Sequence, residues 1–200
     1  MNDTLRTIYA RRAIRRYKPL PVAHELINQV IDAGRMAPSA MNKQPWSFYV
    51  LTEAVDIHTF SKQIARVGVK EIVRKGLKAI VKTFLDIVRA PIGFRHLGEK
   101  DFVFYGAPVV IFVTAPRDNE WASLDIGMCC QNMMLAAKSL GLETCPVGFG
   151  KFVDQTKSYP ALRIPPEEEV MIAVIMGYSD DQPEMHERRK GNVFFVSPGT

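Results

Sequence analysis

The stretch from Pro108 to Leu140, PVVIFVTAPRDNEWASLDIGMCCQNMMLAAKSL, decides the fold. It begins with PVVIFVT, an apolar run too short to be a typical helix and rich in β-branched residues, which reads as a strand buried on both faces. From Trp121 to Leu140 the apolar residues no longer alternate. Met128, Cys129, Cys130, Met133, Met134, Leu135 and Ala136 point to a helix that is apolar nearly all round, with Gly141 placed to cap it. A helix of that kind must be covered on every side, either in a core or at a subunit interface.

Outward from this centre, the chain alternates between the two periodicities without strict strand–helix–strand units. Asn2 or Asp3 is placed to cap a short helix from Thr4 to about Arg11. Leu26, Ile27, Val30 and Ile31 predict an amphipathic helix over Ala23–Met36, with Pro38 just beyond its end. Trp46–Thr52 and Val170–Met176 read as strands, Pro146–Gly150 as a glycine-containing turn, and Asp56–Ala90 as a helical stretch. In the last, Lys70, Arg74, Lys78 and Lys82 recur every four residues beside an apolar stripe. Gly76 marks a weak point and Pro91 a stop. The fold class expected is α+β, a sheet flanked by helices.

The 200 residues fit one domain with a real core, and a 47% hydrophobic, 24% charged composition excludes disorder as the dominant state. A net charge of +5 suits an anionic ligand such as a phosphate without demanding nucleic acid. A nucleic-acid reading ranks last, because Trp46, Phe48, Phe112 and Trp121 fall in apolar elements rather than on a basic face. Three cysteines, with no C-x-x-C, argue against a disulfide framework and a zinc site. All three read as buried small hydrophobes. His24, His58, His96 and His186 lack ligand spacing. Met1–Arg16 has no apolar core of the kind a secretory signal needs. The longest apolar run, Ala107–Ala115, is about half the ~20 residues a membrane span requires, so the expected location is cytoplasmic.

Three segments carry candidate chemistry. In the first, Arg11 and Arg15 fall on one side of an extended chain, and guanidinium forks match phosphate oxygens. In the second, Pro38 and Pro45 bound a loop holding Ser39, Asn42, Lys43 and Gln44, whose amides match the donor and acceptor edges of a heterocycle. The third is Cys145–Lys151, where glycine lets backbone approach a flat ligand closely; its G-x-G is no dinucleotide fingerprint. No G-x-S-x-G elbow or H-E-x-x-H is present, and no side chain stands out as nucleophile or base. Chemistry carried by a bound cofactor accounts for that pattern.

The runs RRAIRRY (11–17), APSAMNKQPWSF (37–48), GLETCPVGFGKF (141–152) and MGYSDDQPEMHERRKGNVFFV (176–196) occur in an order that resembles the FMN-dependent nitroreductase family over nearly the whole chain. DFVFYGAPVVIF (101–112) further resembles a subgroup often fused to iron–sulfur ferredoxin domains, here without that domain. The resemblance implies a single nitroreductase-like domain over residues 1–200. Its sheet is mainly antiparallel, and it forms an intertwined homodimer with FMN at the interface. It also implies a helical, lid-like insertion at about 56–95 that sets acceptor choice. Arg11, Arg12 and Arg15, helped by the backbone near Ala13 and by Arg188 and Arg189 of the tail, would hold the FMN phosphate. Pro38, Ser39, Asn42 and Gln44 would come from the other subunit. Pro146, Val147 and Gly148 would line the ring, with no catalytic side chain and no metal.

The implied activity is ping-pong reduction of nitro-aromatic, quinone or related acceptors with NAD(P)H, or with ferredoxin as donor. Two alternatives are a specialised relative with another substrate and a non-catalytic FMN-binding redox module.

Overall fold

The computed structural model describes residues 1–74, 101 and 103–196. Its centre is a four-stranded sheet in the order β1-β2-β4-β3, with every neighbouring pair antiparallel. The strands are β1 (Ser47–Leu51), β2 (Val109–Pro116), β3 (Glu143–Val147) and β4 (Glu168–Gly177). The long helices are α1 (Asp3–Ala10), α2 (His24–Arg35), α3 (Ala54–Arg74) and α4 (Ala122–Ser139). The expected α+β class and antiparallel sheet are present.

β2 is the strand buried on both faces that its sequence predicts. Val109, Ile111, Val113 and Ala115 face one way, into a core built with α2 and α4. Val110 and Phe112 face the other, against Ile57, Phe60 and Ile64 of α3. β4 shares both cores. Met171 is an extra residue between the pairs Val113–Ile172 and Thr114–Val170. This bulge shifts the alternation by one, so Val170 joins Ala173 and Ile175 on the α3 side.

The helix ends follow their caps. Asn2 Oδ1 accepts the Leu5 N–H at 2.9 Å and starts α1. α4 ends in a Schellman turn: Leu142 N–H donates to Ala137 at 2.9 Å and Gly141 N–H to Lys138 at 3.2 Å. Gly141 has φ +78°, as the cap position requires.

Two readings are refined. Pro146 and Val147 end a strand that begins at Glu143, and the turn starts only at Gly148. The lid-like insertion expected at 56–95 lies outside the described residues from 75 to 95. In its first part, α3 buries Ile57, Phe60 and Ile64. Among the described residues no helix is long and apolar enough to cross a membrane, and no cluster suits a metal ion. Cys129, Cys130 and Cys145 are free and buried.

Candidate ligand site

The arginine segment leaves α1 at Arg11, where the backbone turns extended (φ −60°, ψ 131°). Ile14, 1% exposed, anchors it to the core, and its N–H donates to the Thr144 carbonyl at 3.0 Å. Ala13 thereby pairs in parallel with Thr144, on the edge of the sheet that β3 forms. Arg11 and Arg15 both lie close enough to Cys145 to oppose the rise that burial imposes on its thiol pKa. Both arginines thus lie near the same buried thiol at the edge strand.

The cations are crowded together. Burial, then Arg12, and with them Arg188, hold the Arg11 guanidinium below the usual arginine range, while Cys145 and Glu143 oppose this. Arg188 and Arg189 both lie on an exposed stretch, and Arg188 Nη1 donates to the His186 carbonyl at 3.1 Å. Arg12 folds back, its Nη1 donating to the Tyr9 carbonyl at 2.6 Å and the Arg11 carbonyl at 2.8 Å. Its buried Nε has no partner among the described residues. Arg15 lies 5.8 Å from the centre of the Tyr105 ring. Among the described residues, none of Arg11, Arg12 and Arg15 is in a salt bridge, whereas Glu143 is taken by Lys138. Guanidinium groups gathered without carboxylate partners call for an anion with several oxygens.

β3 leads from this cluster to the glycine turn. Thr144 to Gly148 is four residues of strand, roughly 13 Å. Val147 packs its side chain into the α3-side core, so only its backbone can line a ligand there. Gly148 is exposed, and a Cβ on it would meet nothing within 4 Å. Gly150 is the opposite: a Cβ would lie 2.5 Å from the Ala173 Cβ and 2.7 Å from its N, so the turn is pressed onto β4. An open glycine beside a fixed one offers a rigid flat backbone surface.

The proline-bounded loop is built by local bonds. Ser39 Oγ accepts the Gln44 N–H at 2.9 Å, and Gln44 Nε2 donates to Asn42 Oδ1 at 3.2 Å. Met41, Asn42 and Gln44 all adopt left-handed backbone, φ +53°, +51° and +47°. Such conformations are uncommon outside glycine and persist where the surroundings enforce them. Pro38 borders a groove along α4 with Leu124, Gly127 and Met128.

Within one subunit this loop is far from the other two segments. It touches the first turn of α4, where Ala40 N–H donates to Asp125 Oδ1 at 3.1 Å. The arginines lie beyond the other end of α4, beside β3; Asp125 to Ser139 alone is about 21 Å of helix. The loop also runs into β1, whereas Gly148 follows β3, and these strands are opposite edges of the sheet, about 14 Å apart over three strand spacings.

Sequence reasoning missed two residues. Tyr105, under Arg15, has φ +55° and a phenol pKa raised by burial, with Arg15 opposing. Asp125 carried a legible signal: it is the only charged residue from Trp121 to Ala137.

The model of the nitroreductase family matches residues 8–178, which contain all three segments apart from the tail. The chain belongs to the nitroreductase family. It is 30% identical to a 4-nitrobenzoate reductase of Pseudomonas putida, over 91% of this chain and 88% of that one. Its fold is similar to that of a nitroreductase with bound FMN from Desulfitobacterium hafniense, with TM-score 0.78 and 24% identity, covering 98% of this chain and all of that one. It is also similar to an FMN- and NADPH-dependent nitroreductase from a Sphigopyxis strain, with TM-score 0.68 and 20% identity, over 95% of this chain and all of that one. A nitroreductase fold therefore presents a cationic segment and an open glycine turn along one edge strand.

Proposed function

We propose that this chain is an FMN-dependent oxidoreductase that carries electrons from NAD(P)H to nitro-aromatic, quinone or related small acceptors, as an intertwined homodimer. The observation that carries the reading is the guanidinium cluster of Arg11, Arg12, Arg15 and Arg188, linked by β3 to the open glycine at 148.

The residues present fit FMN. The orphaned Arg12 Nε, with Arg11 and Arg15 in no salt bridge among the described residues, suits a phosphate dianion, and the exposed backbone at Gly148 suits the edge of a flat ring. Arg11, Arg12, Arg15 and Arg188, with the Ala13 backbone, would hold the phosphate. Pro146, Val147 and Gly148 would line the ring, and Arg189 of the tail would join Arg188 at the phosphate. Bound FMN supplies the two-electron chemistry between donor and acceptor. The chain's own part is to orient that group, keep positive charge near it and leave room for one small molecule at a time.

The homodimer reading rests on the separation of the three segments. Pro38, Ser39, Asn42 and Gln44 reach a ring held by Arg11 and Gly148 only from a second copy. Two exposed apolar features support this. Val193, Phe194, Phe195 and Val196 extend from the chain, 70–97% exposed, and Leu124 on the outer face of α4 is 56% exposed.

The test is an absorbance spectrum of the purified protein, followed by anaerobic titration with NADH and NADPH. Flavin bands at one FMN per subunit, bleached by a nicotinamide, are expected. A flavin that neither donor bleaches points to a ferredoxin-type donor. A colourless monomer that refuses added FMN overturns the reading.

A further inference from the structure

Asp125 does not belong where it lies on hydrophobic grounds. It is 1% exposed, in a helix whose other buried residues are alanine, isoleucine, cysteine and methionine. A carboxylate there is costly unless its bonds bring something that an apolar residue would not. Its position in the first turn of α4 lowers the cost, because the helix N-terminus favours negative charge. One oxygen accepts the Ala40 N–H across 85 residues of sequence, and Oδ2 is buried with no partner among the described residues.

The bond falls at a decisive place. Ala40 follows Ser39 and begins the single 3-10 turn that carries Met41 and Asn42, two of the three left-handed residues of the loop. The other bonds of the loop are internal to it: Gln44 N–H to Ser39 Oγ, Gln44 Nε2 to Asn42 Oδ1, and the backbone N–H groups of Asn42 and Lys43 to the Ser39 and Ala40 carbonyls. They shape the loop but do not say where it sits. The Asp125 bond ties the loop to α4, and it does so through a backbone donor that no side-chain change in the loop can replace.

We propose that Asp125 is a positioning residue: through the Ala40 N–H it fixes the 39–44 loop on α4, and so sets where Ser39, Asn42 and Gln44 meet the ligand of the neighbouring copy. The consequence for FMN rests on the functional reading above; the consequence for the loop does not.

The experiment has two arms on the purified full-length protein. Hydrogen exchange of the peptide covering residues 38–44 reads the loop directly, and fluorescence titration with FMN reads the site. Asp125→Ala is expected to raise exchange in that peptide at least tenfold, with helix α2 unchanged, and to weaken FMN binding about tenfold. Asp125→Asn keeps a carbonyl acceptor of the same shape and is expected to restore both to within about threefold. Ala40→Pro removes the donor alone, and proline is tolerated in a first helical turn. It is expected to reproduce the Asp125→Ala losses, and the double variant to be no worse than either single one.

Unchanged exchange in Asp125→Ala overturns the proposal, as does equal damage from Asp125→Ala and Asp125→Asn. Should Asp125→Ala not fold, Ala40→Pro decides alone: normal exchange and normal FMN binding overturn the proposal. A wild-type protein that takes no FMN but loses loop protection on either substitution upholds the positioning role and sinks the FMN reading.

Discussion

The arginine segment and the proline-bounded loop are both short, polar and placed by neighbouring elements, yet they are built on opposite principles. Residues 11–15 keep ordinary extended backbone, paired to β3, and leave their charges uncompensated. Residues 39–44 pair most of their polar groups among themselves, with Ala40 N–H tied to Asp125, and bear the cost in backbone, with three left-handed residues that are not glycine. On the proposed reading, the first segment would bind by charge and tolerate changes in shape, and the second would bind by shape and contribute little charge. Substitutions should therefore act on different quantities at the two places.

The largest effect is expected from Arg11→Ala combined with Arg15→Ala. Losing two charge-assisted bonds to a phosphate, each worth about 1.5–3 kcal/mol, should weaken FMN at least a hundredfold, with little change in thermal stability. Equilibrium dialysis and a melting curve check both halves. A double variant that keeps its FMN would break the charge half of the comparison.

Next comes Met41→Val, which forces a β-branched residue into left-handed backbone and should cost about 1–2 kcal/mol. Met41→Gly should cost almost nothing, since relief of strain offsets the added freedom of the unfolded chain. The same change at Arg16, exposed on extended backbone and paired with Asp181 only at 3.5 Å, should stay within about 0.5 kcal/mol. Urea denaturation of the three variants tests the shape half directly. Ser39→Ala, which removes the acceptor for the Gln44 N–H, should cost about 1 kcal/mol and loosen FMN a few-fold.

The smallest effect concerns the ground beneath the segments. Burial pushes the Cys129 and Cys130 thiols up to about 12 and raises Cys145 despite Arg15 and Arg11. The folded state thus holds these protons more tightly than the unfolded one. Their contribution to stability is complete below the ordinary thiol pKa and is lost as pH rises from about 9 towards 12. The native protein at pH 8 should react with a thiol reagent only on unfolding, when three thiols appear. Fast labelling of the folded protein would mean that the floor under the arginines opens.

Much of this was legible in the chain. The run PVVIFVT and the helix after it stand where their periodicities put them, because burial on both sides leaves few polar residues to blur the pattern. β3 was not legible in full. Pro146 demotes any reading as a strand, and only its place at a sheet edge lets it pair. The arginine cluster could be read from guanidinium chemistry, but the choice of Arg188 depends on how an exposed tail folds back. The backbone of the loop was hidden, since neither Met41 nor Gln44 announces a left-handed turn as glycine does. Asp125 stood out only as a lone charge in an apolar helix, and its bond to Ala40 depends on tertiary packing.

Helix α4 keeps the two segments at its opposite ends, and this has a genetic consequence for the proposed pair. Join a subunit lacking the arginines to one whose loop is ruined. One cleft then inherits both defects, while the other draws sound arginines from the second copy and a sound loop from the first. Two inactive alleles should complement each other, restoring up to half the wild-type signal in the mixed species.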